Sequence, residues 1–438
     1  MTTYAYVKAL LEQLSAQASS RGKPFTTFQI TDISKKDSQL YGTLEIKEDT
    51  TRYVNKVIVQ GYDKLPKGFL KFYAHLNEGA VFNENKLLEK SDALDQLPFI
   101  EILKSPEVLF TKDSTTVYLY AKKKSSNRFD GFIGFSNSEN NNSLRLDGFI
   151  DLALTNNLNY GEQLLINFKS DGDDQQQLNI SLNLPYLFKS PIGLEAKLGL
   201  FRRDTTFSET SQSVSAFYQL GQRLKTSLGY KRKQSENLQD DIINATPDIL
   251  DFSSDLVSAG LGYQVIEKNN LFPIKTNFNI SVEAGERRTD SFEELQFIID
   301  GRASHIFKLN EANQIFLGNT TQVLLSDNFL TNELFRFGGI ISIRGFEENS
   351  IFANILSTLN TEYRYILSPN LYVNSIIDAG YFENDLLDQR SRLLSFGFGT
   401  GLLTRSGLFK INIANGINED QDFLLSNTRI HLRLEARF

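Results

Sequence analysis

Three side chains in the second half of this sequence have the types and spacing for a charge-assisted contact: Arg344, Glu362 and Asp378. Arg344 belongs to the string ISIRGF, Ile341 to Phe346, inside a stretch of about 28 residues that has no strand pattern of its own; loops that long within a compact β domain are usually functional or disordered. Glu362 shares strand parity with Thr358, Asn360 and Arg364, and Asp378 with Tyr372 and Asn374 opposite Leu371, Val373 and Ile377. A period of two places each carboxylate on the polar face of its strand. A guanidinium can grip a carboxylate through two parallel N–H···O bonds, and the pair is stronger where water is partly excluded. The competing placement for Arg344 is a solvated loop tip above a wet channel.

Other chemistries find little support. Cysteine is absent, which excludes disulfides and thiolate nucleophiles. The three histidines, His75, His305 and His431, are far apart in sequence, so no metal site is expected. His75 is expected on a helix surface and His431 in a charge network on the polar face of the last strand. Ser304 adjoins His305, but neighbours in a strand point to opposite faces, and no G-x-S-x-G elbow occurs; neither an enzyme nor a cofactor is expected. The net charge is −7, with no concentration of Lys and Arg, which argues against nucleic acid as a partner.

The elements that must position these residues are strands. No window approaches the roughly 18 apolar residues of a membrane-spanning helix, and the mean hydropathy is −0.28. A transmembrane barrel has such an average, because lipid-facing and lumen-facing residues alternate. The 34 Phe and 17 Tyr, without any Trp, suit a chain with aromatic girdles. From about Arg128 onward the alternation is strict: Leu178, Ile180, Leu182 and Leu184 oppose Asn179, Ser181 and Asn183, and Phe278 to Ala284 opposes Asn279, Ser281 and Glu283. About sixteen such segments can be counted, an even number that lets an up-and-down antiparallel sheet close and satisfy every backbone group. The last is the clearest, with Ile430, Leu432, Leu434, Ala436 and Phe438 opposite Arg429, His431, Arg433, Glu435 and Arg437.

The expected organisation is therefore an all-β transmembrane barrel over 126–438 with a loop at 327–354, preceded by two small α/β modules. Residues 1–50 read as a partial module, with a helix over 6–17 and strands near Phe25 to Ile33 and Leu40 to Ile46. Residues 51–125 read as a complete one: strand Asn55 to Gln60, a helix opening at Pro66 and running through Leu70 to Leu76, a helix over 85–96, strands Ile100 to Leu103 and Val108 to Phe110, and strand Thr115 to Ala121. Proline is favoured at a first helical position. Residues 1–20 lack the marks of an export leader, so further sequence is expected upstream.

With these features in place, the chain resembles the BamA/TamA superfamily. Ile343, Arg344, Gly345 and Phe346 match in order its [VI]RG[FY] motif, after what counts as the eleventh strand. NTEYRYIL (Asn360 to Leu367) and IIDAGYF (Ile376 to Phe382, with Asp378 and Gly380) resemble its next two strands, and a terminal aromatic such as Phe438 resembles the recognition signal of outer-membrane barrels. The resemblance implies that the loop folds back into the lumen, where Arg344 would pair with Asp378, with Glu362 nearby. It implies that the α/β modules are POTRA-like, of order βααββ, and lie in the periplasm of a Gram-negative bacterium, below a barrel in the outer membrane. It also implies a lateral seam between first and last strands, for which Phe129, Gly131, Gly134, Leu434 and Phe438 are the candidates; glycine weakens a strand and loosens its register. The function expected on this basis is insertion or translocation of client proteins. The partners would be unfolded outer-membrane or secreted proteins, outer-membrane lipids, and accessory lipoproteins or other envelope proteins. The alternatives are a two-partner-secretion transporter and, in a different class, a passive porin.

Overall fold

The computed structural model describes residues 4–37, 39–137, 144–171, 175–203, 206–239, 249–267, 269–404, 407–419 and 423–435. It consists of two compact units that meet in sequence between Ser125 and Ser126.

The first unit contains α1 (Tyr4–Ser20), β1 (Thr27–Lys36), β2 (Gln39–Lys47), β3 (Lys56–Gln60), a π-helical turn (Phe69–Tyr73), α2 (Glu84–Asp95), β4 (Ile100–Phe110) and β5 (Thr115–Lys123). β1 and β2 form an antiparallel hairpin. β5 is the centre of a three-stranded sheet, parallel to β3 and antiparallel to β4. Thr115, Val117, Leu119 and Ala121 on β5 are buried, the period of two expected of a strand with one covered face. Against that face lie Phe69 and Phe99, edge to face with ring centroids 5.1 Å apart. The Asn83 side chain caps α2 by accepting the Lys86 amide, which satisfies one of the orphan donors of a helix start. Three sequence expectations need correction here. Ile100 to Leu103 and Val108 to Phe110 are one continuous strand, joined through two register shifts between Ile102 and Glu107. The helix expected to reach Leu76 ends in its π turn at Tyr73. His75 therefore lies beyond that helix, at φ +51°, with its carbonyl accepting the Lys90 ammonium, and not on a helix surface.

The second unit opens with β6 (Arg128–Asn137), β7 (Leu144–Thr155), β8 (Gln163–Asp171), β9 (Gln175–Leu184), β10 (Ile192–Arg203) and β11 (Phe207–Leu220). It continues with β12 (Leu224–Asn237), β13 (Phe252–Ile266), β14 (Ile274–Arg288), β15 (Glu293–Lys308) and β16 (Asn313–Leu325). A long loop carries the short hairpin β17 (Phe335–Phe337) and β18 (Ile351–Ala353). Then follow β19 (Ile355–Ser368), β20 (Leu371–Asn384), β21 (Gln389–Thr404), β22 (Gly407–Ile417) and β23 (Arg429–Glu435). All but β17 and β18 join one antiparallel sheet of 16 strands, each beside its neighbours in sequence, with β16 pairing β19 across the loop. This is the 16-strand barrel that the alternation predicts.

Its two faces differ in kind. Outward-pointing Leu228, Val257, Ile377, Phe398 and Leu432 are each at least 60% exposed. A contiguous apolar band of that sort is rare on a surface facing water and is what hydrocarbon requires. The inward face holds a cavity of about 700 Å³ lined by Ser211, Ser213, Ser215, Ser227, Ser258 and Ser281 together with Glu195, Lys197, Lys231 and Glu283. Lys231 and Glu283 pair at 2.8 Å. The interior is polar, as a lumen is, and unlike the dry core between two stacked sheets.

Candidate functional site

The loop between β16 and β19 is the site, and its backbone dictates part of its sequence. Gly345 has φ +84°, a conformation that costs an L side chain. A Cβ there would also lie 2.6 Å from the Gly416 nitrogen and 2.7 Å from the Asn415 carbonyl carbon, so the turn rests directly on the backbone of β22. Gly345→Ala should therefore displace the loop tip, at a cost of about 1–3 kcal/mol for the backbone alone. Protease cutting within 327–354 of the folded barrel would report it, and an unchanged cleavage pattern would contradict this close approach.

That turn delivers Arg344 into the wall. Its Nε donates to Asp378 Oδ2 at 2.8 Å and its Nη2 to Oδ1 at 2.6 Å, a two-pronged grip, while its own backbone N–H donates to Oδ2 at 3.1 Å. The remaining nitrogen, Nη1, donates to Glu362 Oε1. The second Glu362 oxygen accepts from Arg364 Nε at 2.7 Å, and the Arg364 guanidinium lies 4.3 Å from the ring centroids of both Phe272 and Phe316. Asp378 is wholly buried and Arg344 is 3% exposed. The result is an alternating row of two anions and two cations, which leaves no net charge in a place that screens charge poorly.

The other residues of the motif pack. Ile343 is fully buried among Phe337, Phe346, Leu356, Phe382 and Leu393. Gly380 makes room for it, since a Cβ at that position would stand 3.0 Å from the Ile343 Cδ1. The Phe346 ring covers Gly416. The Asn360 amide donates to the Ser342 carbonyl at 2.8 Å, and the Gly345 amide donates to His431 Nε2 at 3.1 Å. The sequence places His431 in a lumen charge network; in the structure it stands among Arg344, Asp378 and Arg429, and its ring nitrogen also takes a backbone amide of the loop.

The stem of the loop has a second footing that the sequence reading did not find. Arg287 on β14, with no exposed surface, donates to Glu333 of the loop at 2.7 Å and to Glu294 on β15 at 2.5 Å. Glu333 also accepts from the Gln296 side chain and from the Leu330 amide, each at 2.9 Å. The Asn332 amide reaches Ser235 on β12 and the Leu250 carbonyl, again at 2.9 Å each. Arg336 lies 4.0 Å from the Phe201 ring centroid and 3.5 Å from Glu209. Parity could have flagged Arg287, which lies four residues beyond inward Glu283; Glu333 sits in a loop, where no period exists to read. The loop thus stands on β11, β12, β14 and β15 at its stem and on β19, β20, β22 and β23 at its tip. A sheet can be reached from both halves in this way only if it curls around the loop.

The seam candidates are less uniform. Phe129 points outward and is 66% exposed. Gly131 and Gly134 do not break the β6–β7 ladder, whose register runs unshifted from Arg128 to Asn137. Gly131 instead permits close approach, since a Cβ there would meet the Phe149 carbonyl oxygen at 2.5 Å. Leu434 is paired in register with Phe409, and Phe438 lies outside the described residues. Among the described residues no ladder joins β6 to β23.

No protein-family model and no curated protein matches this sequence. Solved structures do. BamA from Haemophilus ducreyi lacking POTRA domains 1–3 aligns with TM-score 0.60 and 16% identity over 99% of this chain and 93% of that one. CdiB from Acinetobacter baumannii aligns with TM-score 0.58 and 15% identity over 95% and 78%, and CdiB from Escherichia coli with TM-score 0.60 and 14% identity over 98% and 84%. At these identities the likeness is one of fold: the chain has the 16-strand barrel architecture of BamA and CdiB.

Proposed function

We propose that this chain is an outer-membrane protein insertion or translocation factor of the BamA/TamA type, in a Gram-negative bacterium. The observation that carries the reading is the Arg344 grip on Asp378 and Glu362 by an in-folded loop, inside a 16-strand barrel with an apolar outer band. A passive porin needs the band and the lumen; it does not require a loop locked at two footings or α/β modules before the barrel. The first unit, whose second half has the order strand, helix, helix, strand, strand, takes the role of POTRA-like periplasmic modules that receive unfolded clients. Its edge strand could add an extended segment through main-chain bonds, which read backbone more than sequence. Clients would leave towards lipid at the β6–β23 boundary. Outer-membrane lipids, and accessory lipoproteins or other envelope proteins, complete the set of partners.

A two-partner-secretion transporter is favoured to the same degree by the CdiB likeness. Depletion followed by a quantitative outer-membrane proteome separates the readings. A general assembly factor should lower many barrel proteins together, and a dedicated transporter should remove one secreted protein and spare the rest. Liposome conductance provides the third arm: large, stable pores with neither phenotype would establish a porin and overturn the proposal.

A further inference from the structure

We propose that His431 ties the loop tip to the terminal strand through a neutral imidazole, and that a second proton on this ring releases the tie. The argument begins with the direction of one hydrogen bond. The Gly345 amide lies 3.1 Å from His431 Nε2, and a backbone N–H can only donate. Nε2 must therefore offer its lone pair, which fixes the ring as neutral with its proton on Nδ1. Gly345 has little room to turn elsewhere, because the backbone of β22 stands where a Cβ on it would lie.

The surroundings make the added proton consequential. The charged groups about the ring are Arg344 of the loop, Asp378 on β20 and Arg429 on β23. Glu347 of the loop lies 3.6 Å from Arg429. The next inward pair along the β22–β23 ladder from Asn412 and His431 is Lys410 with Arg433. Asp378, wholly buried, is already held by three nitrogens of Arg344. An imidazolium would thus turn a donor against the Gly345 donor and place a cation beside Arg344. The grip of Arg344 on Asp378 and Glu362 does not involve that proton, so acid should detach the tip from β23 while the latch to β19 and β20 holds. Among the described residues, β23 is paired only with β22, so the tie to Gly345 joins the loop to a strand that one ladder holds. This inference rests on the barrel and its loop, and stands whichever client the protein handles.

Having only three histidines in the chain makes the test direct. In the full-length protein carrying His75→Gln and His305→Gln, ¹⁵N histidine spectra should show at about pH 8 a ring protonated on Nδ1 alone. Hydrogen exchange of the Gly345 amide is then compared, at matched pH, with His431→Gln, whose side-chain oxygen accepts at any pH. The two proteins should protect this amide equally at about pH 8, and the histidine form should lose roughly tenfold relative protection by about pH 5. His431→Leu should show the low protection at both. A ring protonated on Nε2 at about pH 8 overturns the proposal, and so does a protection ratio that stays constant with pH.

Discussion

Arg344→Ala is expected to strand the Asp378 carboxylate, weaken the hold on Glu362, release the loop tip and, on the proposed function, abolish complementation of a depleted strain. Asp378 has no exposed surface, while Glu362 would keep its hydrogen bond from Arg364. Removing one partner of such a buried pair costs about 3–5 kcal/mol, most of it the desolvation of the charge left behind. The loop, not the barrel wall, should yield, because the 16-strand ladder holds its backbone bonds independently of this contact. Rapid protease cutting within 327–354, with heat resistance of the sheet largely kept, is the expected pattern. Arg344→Lys should recover little, since an ammonium is a point charge and cannot span Asp378 and Glu362 with a planar fork. Joint reversal, Arg344→Asp with Asp378→Arg, should do better than either reversal alone. Equal failure of all three would mean that pairing is not what the residues are for.

Arg287→Ala should have an effect of the same size at the other footing. Arg287 is the shared cation of Glu294 and Glu333, and its loss leaves two acids close together in a buried place, again at about 3–5 kcal/mol. Neutralising the whole group, with Arg287→Met, Glu294→Gln and Glu333→Gln, should be far milder, because no unpaired charge remains. Thermal unfolding followed by gel mobility of the heated barrel would measure both. A triple variant less stable than Arg287→Ala would show that the charges themselves, and not merely their balance, hold the stem.

The barrel was readable because its chemistry repeats. Every second residue meets a different solvent, so a run such as Leu178, Ile180, Leu182 against Asn179 and Ser181 declares both its strand and its faces, and sixteen such runs declare the sheet. The same parity places Glu362 and Asp378 on the inward face. What parity cannot supply is which inward groups meet across a lumen. Arg287 and Glu333 are 46 residues apart, Gly345 and His431 86 apart, and each pair is brought together by the loop, whose path obeys no period. In the first unit the errors are local: the register shifts that let β4 run through from Ile102 to Glu107 look in sequence like a gap between two strands. At Gly131 the sequence also could not show that a neighbouring backbone comes close, because that depends on the partner strand.

The two footings give the loop a mechanical meaning. It is a strut fixed to opposite sides of a ring, and a ring braced internally cannot widen without lengthening or shedding its brace. The span from Glu333 to Arg344 is short and the hairpin β17–β18 stiffens its flanks, so there is little slack to draw on. Circumference and brace are in effect one variable: whatever spreads the wall must first cost the loop one of its anchors, and which anchor yields decides which half of the wall moves.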